Sequence, residues 1–166
     1  MGTIFTILTV RIAFVMIGVM SILLMAFTVF TGRNQAPVDP FGSFADILPG
    51  QPWNAEKEQR FKCYLNLTPT YEEDCSMNLA TGLFLKIQVS VSLPTGEIRK
   101  TIFIPRETSL RLGQLAILWG RPEVKVYSGI MNIRWPKAHT VAIPQSDFAK
   151  FSYWLPISYV AFEATQ

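Results

Sequence analysis

Hydrophobic residues follow three different patterns along this chain. The first is an unbroken apolar run of 21 residues, IAFVMIGVMSILLMAFTVFTG at positions 12–32, with neither charge nor proline. A helix needs about 20 apolar residues to cross a membrane, so the run predicts a transmembrane helix. It has no basic region before it and no A-x-A site after it, and it exceeds the usual ~7–15 residues of a signal peptide. Residues 1–32 are therefore predicted to be an uncleaved transmembrane signal anchor.

The second pattern is an apolar–polar alternation that begins after Gly82. Two alternating segments, Leu83–Leu93 and Ile98–Pro105, flank the turn residues 94–97 and predict an antiparallel hairpin. Four more strands are predicted at Glu123–Tyr127, Ile130–Trp135, Thr140–Ile143 and Tyr153–Phe162. Pro156 interrupts the last of these, which indicates an edge strand or a bulge. The alternation predicts a sheet with one buried face and one wet face.

The third pattern is helical spacing. Asn54–Leu65 and Thr108–Trp119 place apolar residues three and four positions apart, and a short helical turn is predicted at Ser43–Leu48. Residues 66–82, which include Glu72, Glu73 and Asp74, lack periodicity and predict a loop.

These patterns together predict an α+β fold. One N-terminal transmembrane helix precedes a small domain of antiparallel β-hairpins with two short helices. Residues 33–52, rich in proline and glycine, are predicted to be a linker, and residues 53–166 the domain. A hydrophobic-Gly-x-Pro stretch occurs both at 48–53 and at 118–123, each time ahead of predicted strands. We interpret this repetition as chance and not as an internal duplication.

The composition narrows the class of protein. Charged residues make up 16% of the 166, the mean hydropathy is +0.26, and only Arg11 among the 27 charged residues lies within positions 1–32. A disordered chain and a polytopic transporter are both excluded. Residues 34–166 carry 13 basic and 12 acidic side chains without a basic cluster. We therefore expect no nucleic-acid partner.

The charges and cysteines predict the topology. Arg11 and Arg33 flank the apolar run, and we expect both at the membrane interface, with the N-terminus in the cytoplasm of a bacterial cell. Both cysteines, Cys63 and Cys75, lie in the predicted domain. An even pair in a domain outside the cytoplasm predicts a disulfide. Two free structural thiols in a cytoplasmic domain are the alternative.

Candidate chemistry is sparse. The chain has one histidine, His139, in a predicted loop, and no nucleophile elbow, HExxH, Walker A or GxGxxG motif. We expect no catalytic residue, metal, cofactor or small-molecule substrate. Aromatic residues, by contrast, are abundant near the C-terminus, where they are Phe148, Phe151, Tyr153, Trp154 and Tyr159. Such residues pack in cores or form docking interfaces, and we interpret these five as candidate docking aromatics.

Two segments carry a resemblance. LRLGQLAILWGRPEV at 110–124 and FSYWLPISYVAF at 151–162 resemble uncharacterised single-pass anchored proteins of Chloroflexota-type bacteria. The resemblance implies a membrane-anchored protein and no particular activity. The helix followed by strands is also similar to small envelope-assembly lipoproteins, but this chain lacks a lipidated cysteine.

Taken together, the sequence predicts a non-catalytic accessory subunit of a larger membrane complex of the electron-transport or photosynthetic kind. Its expected partners are the lipid bilayer and other membrane subunits, with the domain docked on the periplasmic or extracellular face. The alternative is a free-standing, membrane-anchored envelope module for binding or assembly. An enzyme that shares its site with partners comes third.

Overall fold

The computed structural model describes residues 39–66, 71–127, 129–145 and 150–164. The chain divides into two compact units, with the boundary between Val38 and Asp39. The second unit, described here, therefore begins before the predicted domain start at residue 53. The anchor predicted at 12–32 and the interface residues Arg11 and Arg33 lie outside the described residues. No helix among the described residues is long and apolar enough to cross a membrane.

The described unit is a small antiparallel β-sheet domain with few helices. Its strands are β1 (Lys62–Asn66), β2 (Glu72–Asn78), β3 (Phe84–Ser92), β4 (Glu97–Pro105), β5 (Glu123–Tyr127), β6 (Ile130–Trp135), β7 (Thr140–Pro144) and β8 (Ile157–Glu163). Its helices are α1 (Ala55–Arg60), α2 (Leu112–Trp119) and two 3₁₀ helices at Gly42–Ile47 and Pro136–Ala138.

All eight strands form one sheet in the order β1-β2-β3-β4-β8-β7-β6-β5, and every neighbouring pair is antiparallel. Each half is a four-stranded meander preceded by helical segments, and the halves meet where β4 pairs with β8. The α2 helix connects them between β4 and β5. The hairpins predicted after Gly82 are confirmed. β1 and β5 are the two edge strands of the sheet.

The core lies on one face of the sheet. Cross-strand pairing places Val89, Thr101 and Phe162 in one row, with Cys75 at its β2 end. Leu112 and Leu115 of α2 belong to the same buried cluster. The Thr101 hydroxyl donates a hydrogen bond to the carbonyl of Ile47, which ties the first 3₁₀ helix to the sheet.

Phe41 lies at the centre of this core. Its ring is 2% exposed and contacts four other aromatic rings at centroid distances between 5.0 and 5.4 Å. These rings belong to Phe84, Phe103, Trp119 and Phe162. Phe41 and Ile47 are thus core residues, and Phe44 and Leu48 pack against the core, although the sequence pattern assigned all four to the linker at 33–52.

Two local predictions near the start of the domain are wrong. The helix predicted over Asn54–Leu65 covers only Ala55–Arg60, capped by the Asn54 side chain, and the chain then enters β1. The loop predicted over 66–82 contains β2. The physical reason is tertiary, because β1 and β2 pair with each other and the disulfide joins them.

Two further predictions need correction. β8 is a central strand between β4 and β7, so the edge alternative for Pro156 is wrong. The bulge alternative agrees with a register shift between Ile143 and Pro144, at the start of β8 in the β7–β8 pair. The α2 helix begins at Leu112 instead of Thr108, because Thr108 has a left-handed backbone with a φ of 57°. The Arg106–Ser109 segment forms a turn closed by the Ser109 N–H donating to the Arg106 carbonyl at 3.0 Å.

Candidate functional site

Three large aromatic side chains stand exposed on the segment that leads into β8. Phe151, Tyr153 and Trp154 are 44%, 48% and 75% exposed, and we name them the aromatic ledge. The Phe151 and Tyr153 rings contact each other edge to face at 5.4 Å. Exposed aromatic groups that lie close together are typical of interaction surfaces.

The backbone of the ledge is fixed to the start of α2. The first N–H groups of a helix have no partner within the helix, so they need acceptors from elsewhere. The Leu112 N–H donates to the Leu155 carbonyl at 2.9 Å, and the Gly113 N–H donates to the Tyr153 carbonyl at 2.7 Å. On the other side, the Ile157 N–H donates to the Leu110 carbonyl at 2.9 Å. The ledge therefore caps a helix and is held by it.

Arg111 provides a further connection to the ledge. Its guanidinium Nη1 donates to the Trp154 carbonyl at 2.9 Å, and the same group lies 5.9 Å from the centre of the Trp154 ring. A guanidinium at this distance over an indole is a cation–π contact. The most exposed aromatic of the ledge thus has a preferred position.

Gly113 allows the close approach of the ledge to α2. A Cβ atom at this position would lie 3.0 Å from the Tyr153 carbonyl oxygen and 3.5 Å from the Tyr153 Cβ. The first distance is shorter than most Cβ contacts in proteins and involves a backbone atom, so the neighbour would have to move, whereas the second is an ordinary contact. The sequence pattern contains no signal for this constraint, because it depends on a contact between residues forty positions apart.

We expect Gly113→Ala to loosen the ledge. The added methyl group lengthens the hydrogen bond to Tyr153, and losing such a bond costs about 1 kcal/mol. Chymotrypsin, which cleaves after aromatic residues, should then cut the ledge about fivefold faster, since cleavage follows the population of the open form. Gly42→Ala is the matched control, because a Cβ there meets no atom within 4 Å. Equal cleavage rates for the two variants would contradict a role for the Gly113–Tyr153 hydrogen bond in holding the ledge against α2.

The structure brings three of the five predicted docking aromatics together. Phe148 lies outside the described residues. Tyr159 lies in β8 opposite Ile143, on the face of the sheet away from the core, and is half-buried. It is therefore separate from the aromatic ledge.

The face of the sheet away from the core carries a second candidate surface. Register aligns Tyr64, Asp74, Ser90, Lys100 and Glu163 in one row across five strands. A shallow concavity of about 420 Å³ lies along the β1–β4 part of this row. Ser90 Oγ donates to Asp74 Oδ1 at 2.7 Å, and Lys100 Nζ lies 3.0 Å from Glu163 Oε1. Four of the five residues of the row are thus paired with one another.

The acidic cluster does not converge on a cation. Glu72, Glu73 and Asp74 lie in β2, where successive side chains point to opposite faces of a sheet. Glu73, Cys63 and Cys75 bring potential ligand atoms within 4.8 Å of one another. Both sulfurs are in a disulfide, so neither is a thiolate that could bind a metal. His139 is exposed and follows the second 3₁₀ helix with a φ of 49°.

The predicted disulfide between Cys63 and Cys75 is confirmed. The two residues face each other across the β1–β2 pair, with 4.0 Å between their Cα atoms. Cys75 is buried and Cys63 is half-buried, so the bond closes the β1 end of the core.

No protein-family model, curated protein or solved structure matches the chain.

Proposed function

We propose that this protein is a non-catalytic accessory subunit of a larger membrane complex, of the electron-transport or photosynthetic kind. In this proposal residues 1–32 anchor the chain, and the domain docks on the extracytoplasmic face. The observation that carries the proposal is the aromatic ledge, because Tyr153 and Trp154 are exposed although hydrogen bonds hold their backbone, and the exposed Phe151 ring packs against Tyr153.

The chemistry of the ledge favours protein docking. Tyr, Trp and Arg are the residues that most often dominate binding energy at protein interfaces. Here Tyr153, Trp154 and Arg111 are adjacent, and the helix hydrogen bonds hold them before any partner arrives. A preorganised surface loses less side-chain and loop entropy on binding, which raises affinity.

The disulfide supports the placement of the domain. Disulfides persist in oxidising compartments and are rare in the cytosol. The Cys63–Cys75 bond therefore favours a domain on the periplasmic or extracellular side of a bacterial membrane. This agrees with a cytoplasmic N-terminus for the predicted anchor.

The alternative function is a free-standing envelope module that binds a ligand or peptide on the sheet. The concavity of about 420 Å³ beside Tyr64, Gln88 and Lys100 is the observation that favours it. The two functions use different faces of the domain, so variants on each face distinguish them.

The deciding experiment is purification of the chain from its native membrane in mild detergent. We expect it to elute within a complex much larger than one subunit, and cross-linking mass spectrometry to place Lys150, next to the ledge, against a partner. Elution as a single chain without partners would contradict the proposal.

We expect Trp154→Ala to weaken the association with the complex by about thirtyfold, since a central interface aromatic contributes about 2 kcal/mol or more. The measurement is the fraction of the chain that co-purifies after a detergent wash. Tyr64→Ala is the control, because Tyr64 is 68% exposed on the other surface. If Tyr64→Ala lowers co-purification while Trp154→Ala does not, the ledge is not the docking surface.

A further inference from the structure

The β5 strand lies at one edge of the sheet, and its side chains are exposed on both faces. It ends the eight-stranded sheet, and all five of its residues are exposed. Val124 and Val126 share the core face with buried Ile133 and Met131, yet Val126 remains 61% exposed. An exposed edge strand is a template for pairing with another strand, and its charged side chains, here Glu123 and Lys125, decide which strand it accepts.

The backbone groups available for pairing can be identified from the β5–β6 register. Tyr127 pairs with Ile130 across a two-residue connection, so these two residues form a hydrogen-bonded pair in the usual hairpin. Hydrogen-bonded and non-hydrogen-bonded pairs alternate along an antiparallel ladder. Val124 and Val126 therefore point their N–H and C=O groups away from β6, toward the free edge.

We propose that the free edge of β5 pairs with β5 of a second copy of this chain, in an antiparallel two-fold dimer. The inference concerns a surface other than the aromatic ledge and does not depend on the proposed accessory role. A two-fold pairing that sets Val124 or Val126 of one copy opposite Val124 or Val126 of the other has three registers, which place Val124 opposite Val124, Val124 opposite Val126, or Val126 opposite Val126.

The charges of β5 select one of these registers. Centring the axis on Val124 places Glu123 of each copy opposite Lys125 of the other, which gives two opposite-charge pairs. The register that pairs Val124 with Val126 places the two Lys125 side chains opposite each other. The register centred on Val126 pairs Lys125 with Tyr127 and gives no ion pair. Opposite charges directly across an antiparallel pair are stabilising, and like charges are destabilising.

The selected register also satisfies the backbone. The Val124 N–H groups donate to the Val124 carbonyls of the opposite copy, and the Val126 N–H groups donate to the Pro122 carbonyls. Pro122 lacks an N–H, so the ladder ends there. On the core face, the two Val124 side chains meet and remove apolar surface from water.

The first test uses cysteine pairs and reads out the register. Val124→Cys in the full-length chain, in mild detergent under oxidising conditions, should form a disulfide-linked dimer on a non-reducing gel. Val126→Cys is the matched control, because it is more exposed than Val124 but faces Pro122 in the selected register. Equal cross-linking of both variants, or none of either, would overturn the proposal. The native cysteines do not interfere, since they are bonded to each other.

The second test uses charge exchange and separates pairing at β5 from any association through the anchor. E123K and K125E should each dimerise roughly tenfold more weakly than the wild type, because both opposite-charge pairs become like-charge pairs. The double variant E123K/K125E should recover the wild-type affinity. A mixture of tagged E123K with untagged K125E should form mixed dimers in a pull-down, since each substituted position then faces its opposite charge. A monomeric wild type, or single variants that dimerise like the wild type, would overturn the proposal.

Discussion

Phe41→Ala is expected to lower the free energy of unfolding of the domain by about 3–5 kcal/mol. Removing the ring leaves a cavity among four aromatic neighbours, and rigid rings collapse into such a space less readily than flexible side chains. Phe41 is 2% exposed, so almost its whole side chain is lost from the core. The melting temperature of the full chain in detergent should fall by roughly 10–20 °C.

Phe151→Ala is the matched control for this substitution. It removes the same atoms from a ring that is 44% exposed and that contacts one aromatic ring within the part of the chain that the structure describes. We expect its effect on melting to stay near the ±0.5 kcal/mol of ordinary surface substitutions, or about 3 °C. Equal melting temperatures for the two variants would show that residues 41–48 are a linker, as the proline and glycine content had suggested, and not part of the core.

The error at the predicted linker has a specific physical origin. Residues 33–52 contain breakers and lack a period, and both features are usual in a linker. Phe41 and Ile47 are core residues because a short 3₁₀ helix aims them at the sheet, and six residues are too few to show a period. The helical turn predicted at Ser43–Leu48 is therefore confirmed as the 3₁₀ helix Gly42–Ile47, but its burial against the sheet could not be read from the sequence.

The alternating segments were easier to predict. In β3, Ile87 and Val89 are fully buried, while Lys86 and Gln88 on the other face are half-buried. Hydrophobic alternation records this difference directly. β2 was missed because it carries three acidic residues in a row, and such a run is usual in a loop. β2 is a strand because its backbone pairs with β1 and β3, and its side chains alone do not indicate this pairing.

The candidate site, too, has features that the sequence predicts and features that depend on tertiary contacts. The aromatic surplus near the C-terminus could be found from composition, and Phe151, Tyr153 and Trp154 are indeed exposed. Composition could not predict that the ledge is held against α2, because this depends on hydrogen bonds to the Tyr153 and Leu155 carbonyls and on the glycine at position 113. The exposure of β5 could not be predicted from the sequence either. Val124 and Val126 alternate with charged residues as core residues do, but they lie in an edge strand.

Replacing both cysteines, in the variant C63A/C75A, is expected to lower the free energy of unfolding by about 3 kcal/mol. In the chain-entropy account, a cross-link that closes a loop of this length removes that much freedom from the unfolded chain. The native bond joins residues 12 positions apart at the β1–β2 pair. Thermal melting of the full chain in detergent should show a decrease of roughly 10 °C.

The wild-type chain with reductant is the control for this variant, because it keeps the volume of both sulfur atoms in the core while losing the cross-link. If the cross-link provides the stability, the reduced wild type and C63A/C75A should melt close together, and both well below the oxidised chain. If only the alanine variant loses stability, the contribution of the cysteines is packing of the buried Cys75. The same chain taken from native membranes should show no free thiol by non-reducing mass spectrometry. Two free thiols there would contradict the extracytoplasmic placement, because a cysteine pair facing each other in an oxidising compartment would be bonded.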